Sequence, residues 1–314
     1  MPAGIGAAGI LGVAREATPG TYVAPEKFIP IRSESLAYAQ ETVFTRPIRG
    51  VADIVHAVPG NATVEGDIEF EVTHDNLPWF LYGMRGSVAK AGAGPYTYTY
   101  TPGVMGQKSG ADSHLSISVE RNGEVFGYTK CVIGKLMITV DNGILVATAS
   151  VLAQEEASQS ALVPTWPTNA PYGAGQYVIE IPTATQVYDV DTFEFTVDDS
   201  PEHQYRLRDN GRGAQYTKFG ERTTELSVER DFEDRTDYDA FKALTAQAIH
   251  FRAESATGDH FDLVMHSAIK DTYEIGLSGQ GDLVRASVTY QGIYNEAQSE
   301  PFVIECSSNT EDIT

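Results

Sequence analysis

Apolar and polar residues alternate with a period of two along much of this chain, the pattern of half-buried strands. It is clearest over residues 64–73, where Val64, Ile68, Phe70 and Val72 share one face and Glu65, Asp67, Glu69 and Glu71 the other. A short helical pattern follows. Asp75 or Asn76 is placed to cap it, Pro78 suits its first turn, and Leu77, Leu81 and Met84, beside Trp79 and Phe80, give it an apolar face. Residues 223–230 repeat the strand. Residues 236–247 repeat the helix, with Tyr238, Phe241 and Leu244 on one side.

The repetition extends further. Residues 115–154 and 249–291 each read as an apolar strand, a turn with glycine (Gly123, Gly258), two more strands and a last strand carrying Ala-Ser-Val. Matching 67–72 with 223–228 aligns Glu65 with Glu221 and Glu69 with Glu225, and puts Glu229 on the same face. A duplicated unit built of strands is scaffolding that meets copies of itself.

Around these units lie segments of other composition. Residues 1–27 are rich in glycine and proline and read as an extended arm, whose apolar Ile10, Leu11 and Val13 call for a partner surface. Residues 86–113 are also glycine-rich. Their Tyr96, Tyr98 and Tyr100 alternate with threonine between Pro95 and Pro102, like an exposed strand or hairpin limb. The expected organisation is an arm at 1–27, a first domain at 28–160 with a long loop at 86–113, a linker at 161–175, a second domain at 176–300 and a polar tail at 301–314.

Composition narrows the function. A hydrophobic fraction of 42% suits a folded soluble protein, and no stretch approaches the ~20 apolar residues of a membrane span. The start reads as no secretory signal, and Cys131 and Cys306 give neither a disulfide framework nor zinc spacing, so folding in a reducing cytoplasm is expected. The net charge of −21 argues against stable binding of nucleic acid. No catalytic, cofactor or metal site is expected. His260 and His266 lack a third ligand and read as a surface pair; Asp189-Val-Asp191 lacks the rest of a calcium loop; Gly6, Gly9 and Gly12 follow no strand.

In order along the chain come Gly9-Ile-Leu-Gly-Val-Ala-Arg-Glu-Ala-Thr-Pro-Gly-Thr21, the strand and helix at 65–83, and Pro95-Tyr-Thr-Tyr-Thr-Tyr-Thr-Pro102. Gly127-Tyr-Thr-Lys-Cys-Val-Ile-Gly-Lys-Leu136 and Asn142-Gly-Ile-Leu-Val-Ala-Thr-Ala-Ser-Val151 follow. This ordered set resembles the major tail tube proteins of long-tailed bacteriophages, in their duplicated-domain form. The resemblance implies a mainly β chain of two related tail-tube domains, sandwiches whose sheets build a barrel, each with a short flanking helix. It implies rings of three chains with pseudo-sixfold symmetry, stacked into a hollow tube through which DNA is delivered. The implied partners are further copies of the chain and the tape measure, tail terminator and tail tip proteins. DNA would be present only in transit, no membrane is involved, and the place is the virion tail, assembled in the host cytoplasm.

Within that frame Glu65, Asp67, Glu69, Glu71, Glu221, Glu225 and Glu229 are candidate lumen-facing acids. Ile10, Leu11 and Val13 are a candidate inter-subunit arm, and Tyr96, Tyr98 and Tyr100 a candidate inter-ring loop. An outer, solvated face is the alternative for the acids. The alternative for the whole chain is a repeated β-sandwich binding module, an adhesin or carbohydrate-binding protein, with the 16 tyrosines as stacking platforms. An enzyme comes third, because the acids lie on regular strand faces.

Overall fold

Two long strands organise the molecule. In a computed structural model that describes residues 9–103, 106–107, 114–206, 212–277, 279 and 282–308, Glu124–Asp141 and His260–Gly276 each belong to two sheets at once. Each changes sheets at irregularities of its ladder. In the first, the register shifts between Tyr128 and Cys131, with Lys130 at φ 51°, and again between Ile133 and Lys135. In the second it shifts between Lys270 and Thr272. Bulges of this kind bend and twist a strand, letting it turn a corner.

The C-terminal parts of these strands lie in one front sheet running through both halves of the chain. Its antiparallel order is Ala37–Thr45, His56–Glu71, Ile144–Ala153, residues 132–141, Val190–Asp198, Thr223–Asp231, Arg285–Gly292 and residues 268–276. Behind it stand two separate sheets. The first contains Lys27–Ile29, Ile10–Arg15, Leu115–Arg121, residues 124–131 and Glu155–Gln159. The second contains Gly86–Ala91, Tyr96–Pro102, Phe302–Ser308, residues 260–268, Gln247–Glu254, Tyr177–Glu180 and Gln186–Val187. The protein is mainly β, and its sheets do not form a closed barrel.

Element by element, the two halves pair alike. Ile10–Arg15 lies beside Leu115–Arg121 as Tyr177–Glu180 lies beside Gln247–Glu254. Glu155–Gln159 borders one long strand as Phe302–Ser308 borders the other. In the front sheet the common Ala-Ser-Val fixes the register. Ser150 stands opposite Asp67, and Ser287 opposite Glu229. The ladders therefore match Asp67 with Glu229 and Glu69 with Asp231, six residues away from the match of Glu69 with Glu225 that the sequence suggested. Because the displacement is even, it leaves every side chain on its expected face.

The core lies between front and back sheets and is continuous through both halves. Phe70 stacks on Phe80 of the helix Leu77–Gly83 with centroids 4.2 Å apart, and Phe193 on Phe251 at 4.2 Å. Burying side chains of this size contributes about 1.5–3 kcal/mol each. Asn76 holds the N-cap position without a capping bond; its Oδ1 instead accepts from the Thr73 N–H at 2.9 Å. Asp75 is held by Lys27 at 2.6 Å.

Three expectations need correction. The stretch 9–27 is not a free arm: Leu11 and Val13 are fully buried in the chain's own back sheet, and Ile10 is half-buried there. Tyr98 and Tyr100 are core residues, only Tyr96 is partly open, and their hairpin docks on Phe302–Ser308. That strand lies within the expected polar tail, yet its Phe302, Ile304 and Cys306 are fully buried. Sequence adjacency thus assigned residues 86–102 to the first half, whereas their backbone pairs with the C-terminal strand. The rest of those segments, residues 1–8, 104–105, 108–113 and 309–314, lies outside the described residues.

Candidate functional site

The side of the front sheet turned away from the core carries a continuous acidic surface. Strand alternation fixes its membership, and the cross-strand register carries it from one half to the other. Glu65, Asp67, Glu69 and Glu71 lie on it together, with Glu65 and Asp67 exposed and Glu69 and Glu71 partly so. Their opposite numbers Leu152, Ser150, Thr148 and Val146 lead through Lys135, Met137 and Thr139 to Asp198, Thr196 and Glu194. Those in turn stand opposite Thr223, Glu225 and Ser227, followed by Glu229 and Asp231. Glu225 and Glu229 therefore share the face of the first-half acids. Glu221 does not lie on the strand: it is an exposed residue before Thr223–Asp231 begins.

Asp141, Glu194, Asp198, Asp231 and Glu274 join this face, and the sequence reading missed them. Glu194 and Asp198 sit on a strand whose alternation was visible. What was not visible is that this strand lies beside 135–139 and so extends the same acidic surface.

Counter-charges are few: Lys135 stands opposite Asp198, and Arg32 and Arg285 lie toward the other end of the strands. Arg32 reaches Asp141 at 2.7 Å, Glu71 at 3.3 Å and Glu69 at 3.7 Å, and its own charge is strengthened first by the Asp141 hydrogen bond. Ser150 Oγ donates to Asp67 Oδ1 at 2.6 Å. Arg285 pairs with Asp191 and, at 3.7 Å, with Glu229. Among the described residues no ion pair reaches Glu65, Asp67, Glu194, Asp198, Glu225 or Glu274. Like charges crowded on a sheet face cost stability unless water or a function offsets them.

The joint between the halves is built differently. Residues 135–139 pair antiparallel with 194–198, putting Lys135 opposite Asp198 on the acidic face and Ile138 opposite Phe195 on the core face, both buried. At its flank the wholly buried Asp199 accepts from Arg85 Nη2 at 2.7 Å and Arg222 Nε at 2.6 Å. Arg222 Nη2 also donates to the Arg85 carbonyl at 2.6 Å, and Tyr100 Oη to the same carbonyl at 2.8 Å. Burial lowers the Arg85 pKa against the pull of Asp199, and burial pushes the Tyr100 phenol well up. Gly134 allows Pro201 of the other half to close in, since a Cβ there would overlap the proline ring.

A second polar cluster lies on the back of the second half. Burial works to raise the Asp262 carboxyl, but Arg252, at 2.6 Å, and His250, at 2.8 Å, outweigh it and hold the pKa at about 2. The Asp262 bond raises His250 in return. His260 Nε2 lies 3.5 Å from Asp262 and 3.6 Å from Glu305, a spacing open to a cation, yet Arg252 already occupies the Asp262 carboxylate. His266 pairs with Glu300 at 3.3 Å, so the two histidines singled out in the sequence serve different partners.

A search of curated proteins finds no match to the chain. The family model described as phage tail tube protein matches residues 6–292. That family is structural and not an enzyme family. A mainly β fold, on a chain matched almost from end to end, agrees with this assignment, and the chain belongs to the phage tail tube protein family.

Proposed function

We propose that three copies of this chain close into a ring of six similar sheet units, that rings stack into the hollow tail tube, and that the acidic face lines its bore. The observation that carries this reading is the front sheet itself. It joins two units side by side within one chain and ends at each side in a strand whose outer edge is unpaired among the described residues, Ala37–Thr45 and residues 268–276. Unpaired edges invite association, and closure removes them. A heterologous contact repeated by rotation gives such a ring.

Orientation follows from space. The core face of the front sheet already carries two back sheets and the helices, and an outer layer needs the larger circumference. The bare face then turns inward, and its carboxylates repel the DNA backbone across about one Debye length, ~8 Å at physiological salt, so the genome slides without sticking. The tape measure protein would fill this bore before ejection, while terminator and tip proteins would cap the stack. The chain acts in the virion tail and is assembled in the host cytoplasm. The binding-module alternative keeps only exposed rings such as Tyr188 and Tyr294 as stacking platforms, since Tyr98, Tyr100, Tyr128, Tyr172 and Tyr290 are buried.

Contacts between rings fall to the hairpin 37–63 in this reading. It replaces both segments that the sequence suggested, because it leaves Val43, Phe44, Ile48, Val51, Ile54 and Val58 exposed. Negative-stain microscopy and cryo-electron microscopy of the purified chain test the reading. Tubes with three chains per ring are expected. A monomer that persists at high concentration without tubes, or a ring of six full chains, would overturn it.

A further inference from the structure

The two free edges of the front sheet carry the same kind of surface as the joint inside the chain. At that joint Ile138 faces Phe195, and both are fully buried on the core face. The repeat identifies their counterparts. In the first half Leu136 stands opposite Ala149, and in the second Ile275 stands opposite Ala286, the alanine that begins the same Ala-Ser-Val. Two residues on, Leu277 takes the place of Ile138. On the other edge Ser227 is the rung partner of Glu194, and Glu65 is the rung partner of Ala37. Since Glu65 and Ser227 are equivalent in the ladders, Tyr38 takes the place of Phe195. Here the match ends: Leu277 is 85% exposed and Tyr38 is 42% exposed.

We propose that the ring joint between chains copies the joint within the chain rung for rung, with Leu277 of one chain opposite Tyr38 of the next and Ile275 opposite Gln40. The proposal rests on the tube reading above and adds to it the register and the residues of the contact. The occupant of each edge is a second copy of this chain.

The two helices support it independently. Leu77–Gly83 is buried almost throughout, packed beneath the hairpin 86–102 that docks on the second half. Its counterpart Thr236–Lys242, near the free edge 268–276, has no buried residue, and Leu244 just beyond it is 64% exposed. Tyr238 and Phe241 already pack on Tyr273 of that edge strand. A neighbour arriving at Leu277 would cover this helix as the hairpin 86–102 covers the first helix. Such a joint is β-addition: backbone hydrogen bonds hold it, and side chains on alternate positions set its register.

The test is cross-linking in assembled tubes of the full chain with a short bis-maleimide. The native thiols Cys131 and Cys306 are both buried and give little background. The double variant Tyr38→Cys/Leu277→Cys should shift from the monomer band to a covalently closed trimer, and either single variant should not. Phe44→Cys/Leu277→Cys, off register by several rungs, should remain monomeric. Tubes that cross-link through Phe44 but not Tyr38, or through neither, overturn this register and leave the tube reading standing. A wild-type chain that forms no tubes removes both. If the double variant does not assemble, Gln40→Cys/Ile275→Cys is the second pair, and the strand register in a reconstruction of wild-type tubes decides directly.

Discussion

Arg85 Nη2 donates to Asp199 Oδ1 at 2.7 Å across the seam between the two halves, with the carboxylate wholly buried and Arg222 on its other side. The arginines come from segments far apart in the chain, and one aspartate compensates both. The joint inside the chain is thereby fixed by a buried charge cluster. Near the edge strand 268–276 the buried Lys270 instead pairs with Asp237, which also takes Arg230, all within the second half.

Removing Asp199 leaves two buried guanidinium groups without a counter-charge. Asp199→Ala should destabilise the isolated chain by about 3–5 kcal/mol, the cost of breaking a buried ion pair by deleting one partner. Urea unfolding followed by circular dichroism measures it, and a loss below 1 kcal/mol would show the cluster to be dispensable.

The buried N-terminal strand should matter to folding before it matters to assembly. Leu11→Ala should cost about 2–5 kcal/mol, as for other fully buried leucines. Thermal melts of the unassembled protein check this. An unchanged melting temperature with a loss of tubes would restore the role of inter-subunit arm to this segment.

Stability should depend on pH at both ends. Asp262 is held at about 2, below its unfolded value, so its contribution is present above about pH 4 and is lost as pH falls toward 2. His250 is raised above its ordinary value, so its contribution is complete below about pH 6.5 and is lost as pH rises through its folded pKa. Asp262→Asn should flatten the acid limb of a plot of unfolding free energy against pH. His250→Gln should remove the limb above about pH 6.5 and weaken the acid limb only in part, because Arg252 still holds Asp262; an unchanged upper limb would contradict the assignment.

Reversing charge on the open face should change function more than structure. Glu65, Asp67 and Glu225 have no ion-pair partner among the described residues, so replacing all three with lysine removes no such contact. Tubes should still form, while DNA release from virions carrying the variant should slow at low salt and recover as salt is raised. Normal release kinetics at low salt would place these side chains outside the bore.

The sequence by itself determined what is local. Alternation assigned Val64, Ile68, Phe70 and Val72 to a core and Glu65, Asp67, Glu69 and Glu71 to the opposite face, because successive side chains of a strand must point to opposite sides. The repeated Ala-Ser-Val announced two similar units for the same reason. Only the tertiary structure decided who covers whom. Tyr98 and Tyr100 alternate with threonine as an exposed limb would, and they are core residues because Phe302–Ser308, far along the chain, lies against them. Leu11 and Val13 are covered by Leu115–Arg121 in the same way. The six-residue error in matching the acidic strands has a related cause. Period two fixes the face of every residue but is blind to even displacements, and only the rungs Ser150–Asp67 and Ser287–Glu229 settle the register.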